Sequence, residues 1–246
     1  AMAREFATLF NANFKKPYDQ TWENKIAQSM VNSQVSPIKV VVDNDCANLG
    51  YLALNMEGIV VAPSPNWLKS RLEEVGMRSI NNIVDISNYV MLELGIPNHI
   101  FDSEKITGDK IFVKRAGNSQ KFTTLDGVSR DLIESDTVIA DTAQTLVLAG
   151  IMGGESSGVS ENTTKIFIEV ANWKAADVRR VSVRLGLRTD SSQRYEKSLD
   201  SQLLSRTLFR LVELIKQICP TAKAVGTKEY AGPVLPLKAP LTIFTS

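Results

Sequence analysis

Histidine and cysteine are scarce in this sequence. Its 246 residues include one histidine, His99, and two cysteines, Cys46 and Cys219. A structural zinc site needs four ligands, and neither cysteine has a neighbour at a metal-type spacing, so we expect no metal site. A single histidine with no evident Ser–His–Asp order argues against a conventional hydrolase triad. Both thiols are typical of a reduced, cytoplasmic protein, with Cys219 in the core at the end of an apolar helix.

Long apolar runs and an excess of one charge are also absent. No stretch reaches the ~18 consecutive apolar residues of a transmembrane helix, and the first residues lack the basic and apolar regions of a signal peptide. The 28 basic and 27 acidic residues give a net charge of +1, which excludes a histone-like polycation but allows a local basic face. With 43% hydrophobic and 22% charged residues, the composition is typical of a soluble globular protein.

The spacing of apolar residues predicts both strands and helices. Strands are predicted at 38–42, 51–56, 58–62, 111–114, 121–124, 138–140, 145–149 and 166–170, with a tight turn at Asp126 and Gly127. Helices are predicted at 5–14, 65–75, 82–94, 175–185 and 201–219, the second of them capped by Ser64. This order predicts an α+β fold rather than a doubly wound sheet, followed by an extended tail from residue 220.

Polar residues interrupt one of the predicted apolar helices, among them several asparagines, Asp85 and Ser87. Caps and internal hydrogen bonds of a buried helix are the simpler interpretation. Gly95 and Pro97 end this helix, so His99 is expected on a loop. A lone loop histidine is more often structural, and its functional alternative is a polar group that orients an ester or a water near neutral pH.

A glycine-rich segment, LAGIMGGE, follows directly after a predicted strand. Glycines let another molecule approach the backbone and expose amide donors. The segment is not a P-loop, because no Lys-Ser/Thr follows, and it does not match GxGxxG. A tight turn is the simpler interpretation, and a binding loop is the alternative.

Glu169 places a carboxylate within an apolar strand, IFIEVA. Burial of a carboxylate without a partner is costly. The simpler interpretation is that Glu169 points to solvent or meets an arginine. The alternative is a hydrogen-bond acceptor inside a pocket.

Residues 174–197 form a basic segment with seven lysines and arginines against three acidic residues, which gives +4 in a chain whose total is +1. A solvated helix face is the usual explanation for such a cluster. Phosphate binding through Arg179, Arg180 and Arg184 is the functional alternative. Because Tyr195 is the one aromatic residue among these charges, sequence reading of bases is not indicated.

Five segments of the chain resemble the B3/B4 editing module of the β chain of bacterial phenylalanyl-tRNA synthetase. They occur in the order and at the spacing of that family: INNIVDISNYVMLELGIPNHIFD, TLDG, LVLAGIMGGESSGV, IFIEVANW and RRVSVRLGLRTDSSQRYEKSLD. Several motifs together are far more specific than any one of them.

The resemblance implies three parts of the chain. These are a segment and linker from the preceding module at 1–37, the B3/B4 editing domain at 38–225, and an extended segment toward the next module at 226–246. The implied fold is a mixed, largely antiparallel β core, sandwich or barrel-like, with flanking helices. The resemblance also implies a fragment without the aminoacylation site, which the family places in the α chain.

The implied activity is hydrolysis of mischarged tyrosyl-tRNA(Phe), within an enzyme that attaches phenylalanine to tRNA(Phe). A buried acceptor that phenylalanine would leave unpaired selects the tyrosyl para-hydroxyl. The implied partners are tRNA(Phe), the synthetase α chain and the remaining β-chain domains, with no membrane. The fragment itself is expected to need no cofactor, since ATP and Mg²⁺ serve only the parent enzyme.

The resemblance assigns a pocket residue by residue. Glu169 matches the residue that takes the tyrosyl hydroxyl, and Ala149 and Gly150 match the wall and backbone beside the ring. The rim around the amino-acid backbone and the ester matches Ser87, Asn88, Pro97 and His99, and the closing segment contains Thr189 and Ser191. The family often has threonine at position 87 and alanine at position 191, so both serines are mild departures, and Ser191 could alter the size or polarity of the pocket.

An aminoacyl ester is already activated, so a positioned water and oxyanion stabilisation suffice without a covalent nucleophile. Our hypothesis is that His99 and Asn88 orient this water or the substrate, and that the backbone amides of residues 150–154 help to hold the carbonyl. The terminal ribose hydroxyl of the tRNA is a further candidate for assistance.

Two other classes of function remain open from the sequence. A non-catalytic tRNA-positioning or structural module would bind tRNA in a salt-dependent way without ester turnover, and the basic segment supports it. A sensor of free aromatic amino acids would bind tyrosine without tRNA and would depend on Glu169.

Overall fold

The structure is a computed structural model that describes residues 2–30 and 35–233. In these ranges the helices are α1 (Met2–Leu9), α2 (Gln20–Ser29), α3 (Asn66–Glu73), α4 (Asn82–Leu94), α5 (Ala175–Arg184), α6 (Asp190–Tyr195) and α7 (Leu203–Ile218). The strands are β1 (Lys39–Val42), β2 (Asn48–Glu57), β3 (Asn98–Asp102), β4 (Lys110–Arg115), β5 (Gln120–Thr123), β6 (Ser129–Leu132), β7 (Thr137–Ala140), β8 (Thr145–Leu148), β9 (Met152–Gly153), β10 (Lys165–Trp173) and β11 (Lys223–Ala231).

The strands form two main sheets and a hairpin. A five-stranded sheet has the order β1-β4-β7-β8-β9, in which β1 and β4 are parallel and the other pairs are antiparallel. A four-stranded antiparallel sheet has the order β11-β2-β10-β3, and β5 pairs with β6 separately. The α+β class with a largely antiparallel core is therefore confirmed, and within the described residues neither sheet closes into a barrel.

The four-stranded sheet separates two hydrophobic cores. Leu54 of β2 and Ile168 of β10 are on the face that packs against α3, α4 and α7. Tyr51 of β2 and Phe167 of β10 are on the opposite face, in a core shared with the five-stranded sheet. Because side chains alternate along a strand, every second residue of β10 faces this shared core, and Glu169 is one of them.

Helix α4 carries the polar residues that interrupt its apolar pattern. The Asn81 side chain caps it by accepting from the amides of Ile83 and Val84, and Gly95 ends it in the left-handed region at φ +82°. The buried Asp85 carboxylate accepts from the Ser64 and Ser79 hydroxyls and from the Ile80 amide, at 2.6, 2.5 and 2.9 Å respectively. The structural interpretation of these polar residues is confirmed for the cap and for Asp85.

The predicted strand at 58–62 and the predicted cap of α3 by Ser64 are both wrong. In each case a side chain makes a hydrogen bond that the prediction did not include. Residues 58–62 form no strand, since the Asn82 side chain donates to the Val60 carbonyl and accepts from the Ala62 amide. Ser64 does not cap α3, because Pro65 occupies that position and the Ser64 hydroxyl binds Asp85 instead.

His99 lies on strand β3, not on a loop as predicted. The helix does end at Gly95, but the chain turns within three residues and pairs with β10 over residues 98–102. The long-range pairing with β10 makes this segment a strand, and no local pattern signals it.

Helix α2 and strand β11 pack onto the rest of the described chain. Trp22 of α2 donates from Nε1 to Glu213 of α7 at 2.9 Å, and Arg206 pairs with Glu23 at 2.7 Å. Strand β11 is an edge strand within the extended tail predicted from residue 220, while residues 234–246 of that tail lie outside the described residues. None of the helices in the described ranges has the length and apolar character needed to cross a bilayer.

Candidate functional site

A small cavity of about 90 Å³ lies between the two sheets. Strands β3 and β10 form one wall, β8 and β9 form the facing wall, and α6 closes one side. The lining residues are Pro97, Asn98, His99, Val147, Gly150, Ile151, Met152, Gly153, Glu169, Trp173, Ser191 and Tyr195. Five residues assigned from the resemblance are thus brought to one cavity from distant parts of the chain: Pro97, His99, Gly150, Glu169 and Ser191.

His99 and Glu169 are direct partners across the β3–β10 pair. Directly opposed residues of an antiparallel pair project from the same face of the sheet. The register therefore places the imidazole and the carboxyl side by side on the face that borders the cavity. Ala53 is the partner of Glu169 on the other side, in β2, so the carboxyl has a small neighbour there.

Glu169 is 5% exposed, and its Oε2 atom has no hydrogen-bond partner among the described residues. Burial raises the pKa of this carboxyl from 4.5 to about 8. At neutral pH the group is therefore mainly a protonated carboxylic acid, which can both donate and accept a hydrogen bond. The expectation that Glu169 points to solvent or meets an arginine is wrong, because the register directs it into the core between the sheets.

His99 is partly exposed, but its Nε2 atom is buried and has no partner within the described chain. The ring packs edge-on against Phe101, with centroids 4.5 Å apart. Burial lowers the pKa of the imidazole from 6.5 to about 4. The ring is therefore neutral at physiological pH and can act as a hydrogen-bonding group in the cavity.

The glycine-rich segment forms the β8–β9 hairpin opposite these two residues. Gly150 adopts φ +71°, and a Cβ there would come within 2.9 Å of the Trp173 ring. Two amides of this segment are already used inside the hairpin, since Ile151 donates to Leu148 and Gly154 donates to Leu146. The predicted role of the backbone amides of residues 150–154 is to help to hold the ester carbonyl. The amides of Ile151 and Gly154 are therefore not free for that role.

Hydroxyl groups at the start of helix α6 make hydrogen bonds to the β8–β9 hairpin. The Thr189 side chain caps α6 and donates to the Ile151 carbonyl at 2.8 Å, and the Ser191 hydroxyl donates to the Gly150 carbonyl at 3.0 Å. At the other end of α6, the Tyr195 hydroxyl lies 3.0 Å from the Pro97 carbonyl oxygen. The helix therefore connects the hairpin to the start of β3.

Four assigned residues do not line the cavity within the described chain. Ala149 is buried beside Gly150 in the shared core, and Thr189 acts through its hydrogen bonds. Ser87 and Asn88 are partly buried on α4, and the Ser87 carbonyl accepts from the side chain of Asn98, next to His99. Helix α4 is thus adjacent to the cavity without forming its wall.

Arginines of the basic segment form ion pairs with acidic residues of the same chain. Arg180 pairs with Asp177, and Arg184 pairs with the buried Asp136 and donates to the Asp131 carbonyl. Arg179 is exposed. Of the three arginines considered for phosphate binding, two therefore have carboxylate partners in the structure.

Three aromatic residues of the site were not singled out from the sequence. Trp173 and Tyr195 line the cavity, and Tyr51 is buried on the same face of the sheet as Glu169. Alternation along IFIEVANW indicates that Trp173 faces the same side as Glu169. No local signal indicates the contacts of the two tyrosines. No group of three or more histidine, cysteine or acidic residues in the described ranges is arranged to hold a metal ion.

Comparison with known proteins identifies the family. A model of the B3/4 domain matches residues 47–220. A protein of Geobacter metallireducens named phenylalanine–tRNA ligase beta subunit is 43% identical over 216 residues, which cover 86% of this chain and 27% of that protein. A protein of the same name from Bdellovibrio bacteriovorus is 40% identical over 247 residues, covering 99% and 29% respectively.

The chain spans less than a third of the length of these relatives. A crystal structure of an N-terminal fragment of the phenylalanyl-tRNA synthetase β-subunit from Pyrococcus horikoshii aligns with 71% of this chain and 54% of that one, at 18% identity and a TM-score of 0.42. The family model covers well over half of the sequence. The resemblance that the sequence motifs indicate is therefore confirmed, and the chain belongs to the B3/4 domain family.

Proposed function

We propose that this chain is the editing region of a phenylalanine–tRNA ligase β subunit and hydrolyses the ester of tyrosyl-tRNA(Phe). The observation that carries the proposal is the buried Glu169 carboxyl, whose Oε2 lacks a partner, in the same cavity as His99. An unpaired buried acceptor or donor costs about 1–3 kcal/mol. A ligand that brings a hydroxyl to this carboxyl recovers that cost, and one that lacks the hydroxyl does not.

The chemistry of the walls favours an aromatic ligand with a polar tip. Trp173, Val147 and Met152 provide apolar surface, and the Glu169 carboxyl is one of the polar groups that line the same cavity. A tyrosyl side chain offers a flat ring and a para-hydroxyl, whereas a phenylalanyl side chain would leave Glu169 unpaired. Discrimination of this kind is strong because it leaves a buried polar group of the protein unsatisfied.

In the proposed reaction a water attacks the ester carbonyl carbon. The bond from that carbon to the ribose oxygen of the tRNA breaks, and the products are tyrosine and tRNA. A group with a pKa of about 4 is a weak base at neutral pH. The role that suits His99 is therefore to orient the water or the ester by a hydrogen bond from or to Nε2. Asn88 and Ser87, on the adjacent α4, are proposed at the rim, and Thr189 and Ser191 hold the closing segment.

The test is deacylation of Tyr-tRNA(Phe) and Phe-tRNA(Phe) by the intact ligase that contains this chain. For Glu169→Ala we expect kcat/KM for the tyrosyl ester to fall at least about tenfold, since one hydrogen bond to a buried carboxyl is lost. His99→Ala is expected to lower kcat, and Glu161→Ala, which changes an exposed carboxylate, is the matched control. Unchanged rates in both Glu169→Ala and His99→Ala would refute the proposal.

A further inference from the structure

Two tyrosines lie close to Glu169 in the core between the sheets. Tyr51 of β2 is fully buried and Tyr195 of α6 is 3% exposed. Burial raises the pKa of both phenols, and the nearby Glu169 carboxyl, once it is ionised, raises each pKa further. The carboxyl therefore has two candidate hydroxyl donors.

The two hydroxyls differ in what they already bind. The Tyr195 hydroxyl lies 2.7 Å from the Ala171 carbonyl oxygen and 3.0 Å from that of Pro97, so its single proton has backbone acceptors. The Tyr51 hydroxyl is buried and has no partner among the described residues, and the same holds for Oε2 of Glu169. Each of these two oxygens is a buried polar atom left unsatisfied, which costs free energy.

The strand register brings Tyr51 to Glu169. Glu169 pairs with Ala53, and Tyr51 pairs with Ala171, so the two large residues are diagonal neighbours on the same face of the sheet. The partner of each of these residues is an alanine, and its small side chain leaves space between the phenol and the carboxyl. Tyr51 is not among the described residues that line the cavity, whereas Glu169 is.

We propose that Tyr51 is the positioning residue of Glu169: its hydroxyl donates to one carboxyl oxygen and leaves the other oxygen to face the cavity. The proposed bond requires a rotation of one of the two side chains, because neither the Tyr51 hydroxyl nor Oε2 of Glu169 has a partner in the structure. The inference rests on the proposed function for its consequence, which is that the free oxygen is held where the para-hydroxyl of a tyrosyl ester arrives. Among the described residues that line the cavity, the other titratable groups are His99 on β3 and Tyr195 on α6. On the facing wall, Val147, Met152 and Gly153 carry no titratable side chain.

The first test does not depend on catalysis. The carboxyl of Glu169 is titrated by NMR in the ¹³C-glutamate-labelled chain, with its signal assigned by its loss in Glu169→Gln. A hydrogen bond to the ionised form favours that form. Tyr51→Phe is therefore expected to shift the titration midpoint of Glu169 upward by about one pH unit. Tyr195→Phe is the matched control, because it removes a hydroxyl that binds the backbone and is expected to leave the midpoint in place.

A second measurement covers the case in which Tyr51→Phe does not fold. In the ¹³C-tyrosine-labelled chain, Glu169→Gln is expected to move the Cζ signal of Tyr51 more than that of Tyr195. An unchanged midpoint in Tyr51→Phe, an equal rise in Tyr195→Phe, or an unmoved Tyr51 signal would each overturn the proposal.

The catalytic consequence is measured in the intact ligase. Tyr51→Phe is expected to lower kcat/KM for tyrosyl-tRNA about tenfold, mainly through KM, and to leave hydrolysis of phenylalanyl-tRNA unchanged. If the wild-type ligase hydrolyses no tyrosyl-tRNA, the proposed function fails while the NMR titration still decides the Tyr51–Glu169 contact. If the wild type is active and Tyr51→Phe matches it on both esters, the positioning role is wrong.

Discussion

Gly153 lies directly against the ring of His99. A Cβ added at Gly153 would come within 2.7 Å of Cε1 and 3.2 Å of Nε2 of the imidazole. The position of the imidazole in the cavity therefore depends on the absence of a side chain on the facing strand. The absence of a side chain at Gly153 therefore allows strand β9 to approach the His99 ring on strand β3.

This contact predicts the effect of Gly153→Ala. The added methyl must displace His99 or part the two walls, and a misplacement of about 1 Å can cost about a hundredfold in rate. We expect kcat/KM for tyrosyl-tRNA deacylation to fall between about tenfold and a hundredfold, as measured in the intact ligase. Gly158→Ala is the matched control, because a Cβ there meets no atom within 4 Å. Wild-type rates in Gly153→Ala would contradict the proposed site.

The pKa of His99 can be measured without ambiguity, because it is the only histidine in the sequence. Burial places its pKa at about 4, below the ordinary value of 6.5. The single Cε1–H signal of the folded chain is therefore expected to titrate near pH 4, and that of the urea-unfolded chain near its ordinary value. Because the pKa of the folded state is the lower one, this residue's contribution to stability is complete above pH 6.5 and is lost as the pH falls toward 4. Titration of the folded chain near pH 6.5 would show that the ring is solvated.

Glu169 predicts a pH dependence of the opposite sign. Its pKa in the folded state, about 8, lies above the ordinary value of 4.5. Its contribution to stability is therefore complete below pH 4.5 and is lost as the pH rises through 8. The free energy of unfolding of the wild type, minus that of Glu169→Gln, is expected to fall by roughly 4–5 kcal/mol over this range. Urea denaturation of both proteins at several pH values measures this difference, and a difference that does not change with pH would mean that the carboxyl is ionised in the folded chain.

Elements with a long periodic pattern could be predicted from the sequence. The helix at Asn82–Leu94 is predicted to the residue, and Leu203–Ile218 lies within the predicted 201–219. The strand Lys165–Trp173 is found because its apolar run is nearly continuous. Each of these elements buries one full face or both faces in the core. The order of its apolar residues therefore indicates which side chains are buried.

The site depends on relationships that local patterns do not contain. Strand β3 is defined by its register with β10, and that register also turns Glu169 toward the cavity, against the simpler interpretation of a solvent-facing carboxylate. Helix α6 is short and polar, and it is held by its capping box and by hydrogen bonds from Thr189 and Ser191 to the hairpin. The family resemblance named five of the residues that line the cavity, and the strand register supplies the geometry of His99 and Glu169.

Two substitutions in the basic segment distinguish an effect on stability from an effect on tRNA binding. Arg184 is the partner of Asp136, whose side chain is 1% exposed, so Arg184→Ala leaves a carboxylate buried without its counter-charge. We expect the free energy of unfolding to fall by about 2 kcal/mol in Arg184→Ala and to stay unchanged in Arg179→Ala, as measured by urea denaturation. If this face contacts tRNA, Arg179→Ala instead weakens binding and lowers the salt dependence of the affinity by about one phosphate contact. Full stability of Arg184→Ala, together with a loss of tRNA affinity, would show that Arg184 serves the nucleic acid and not the fold.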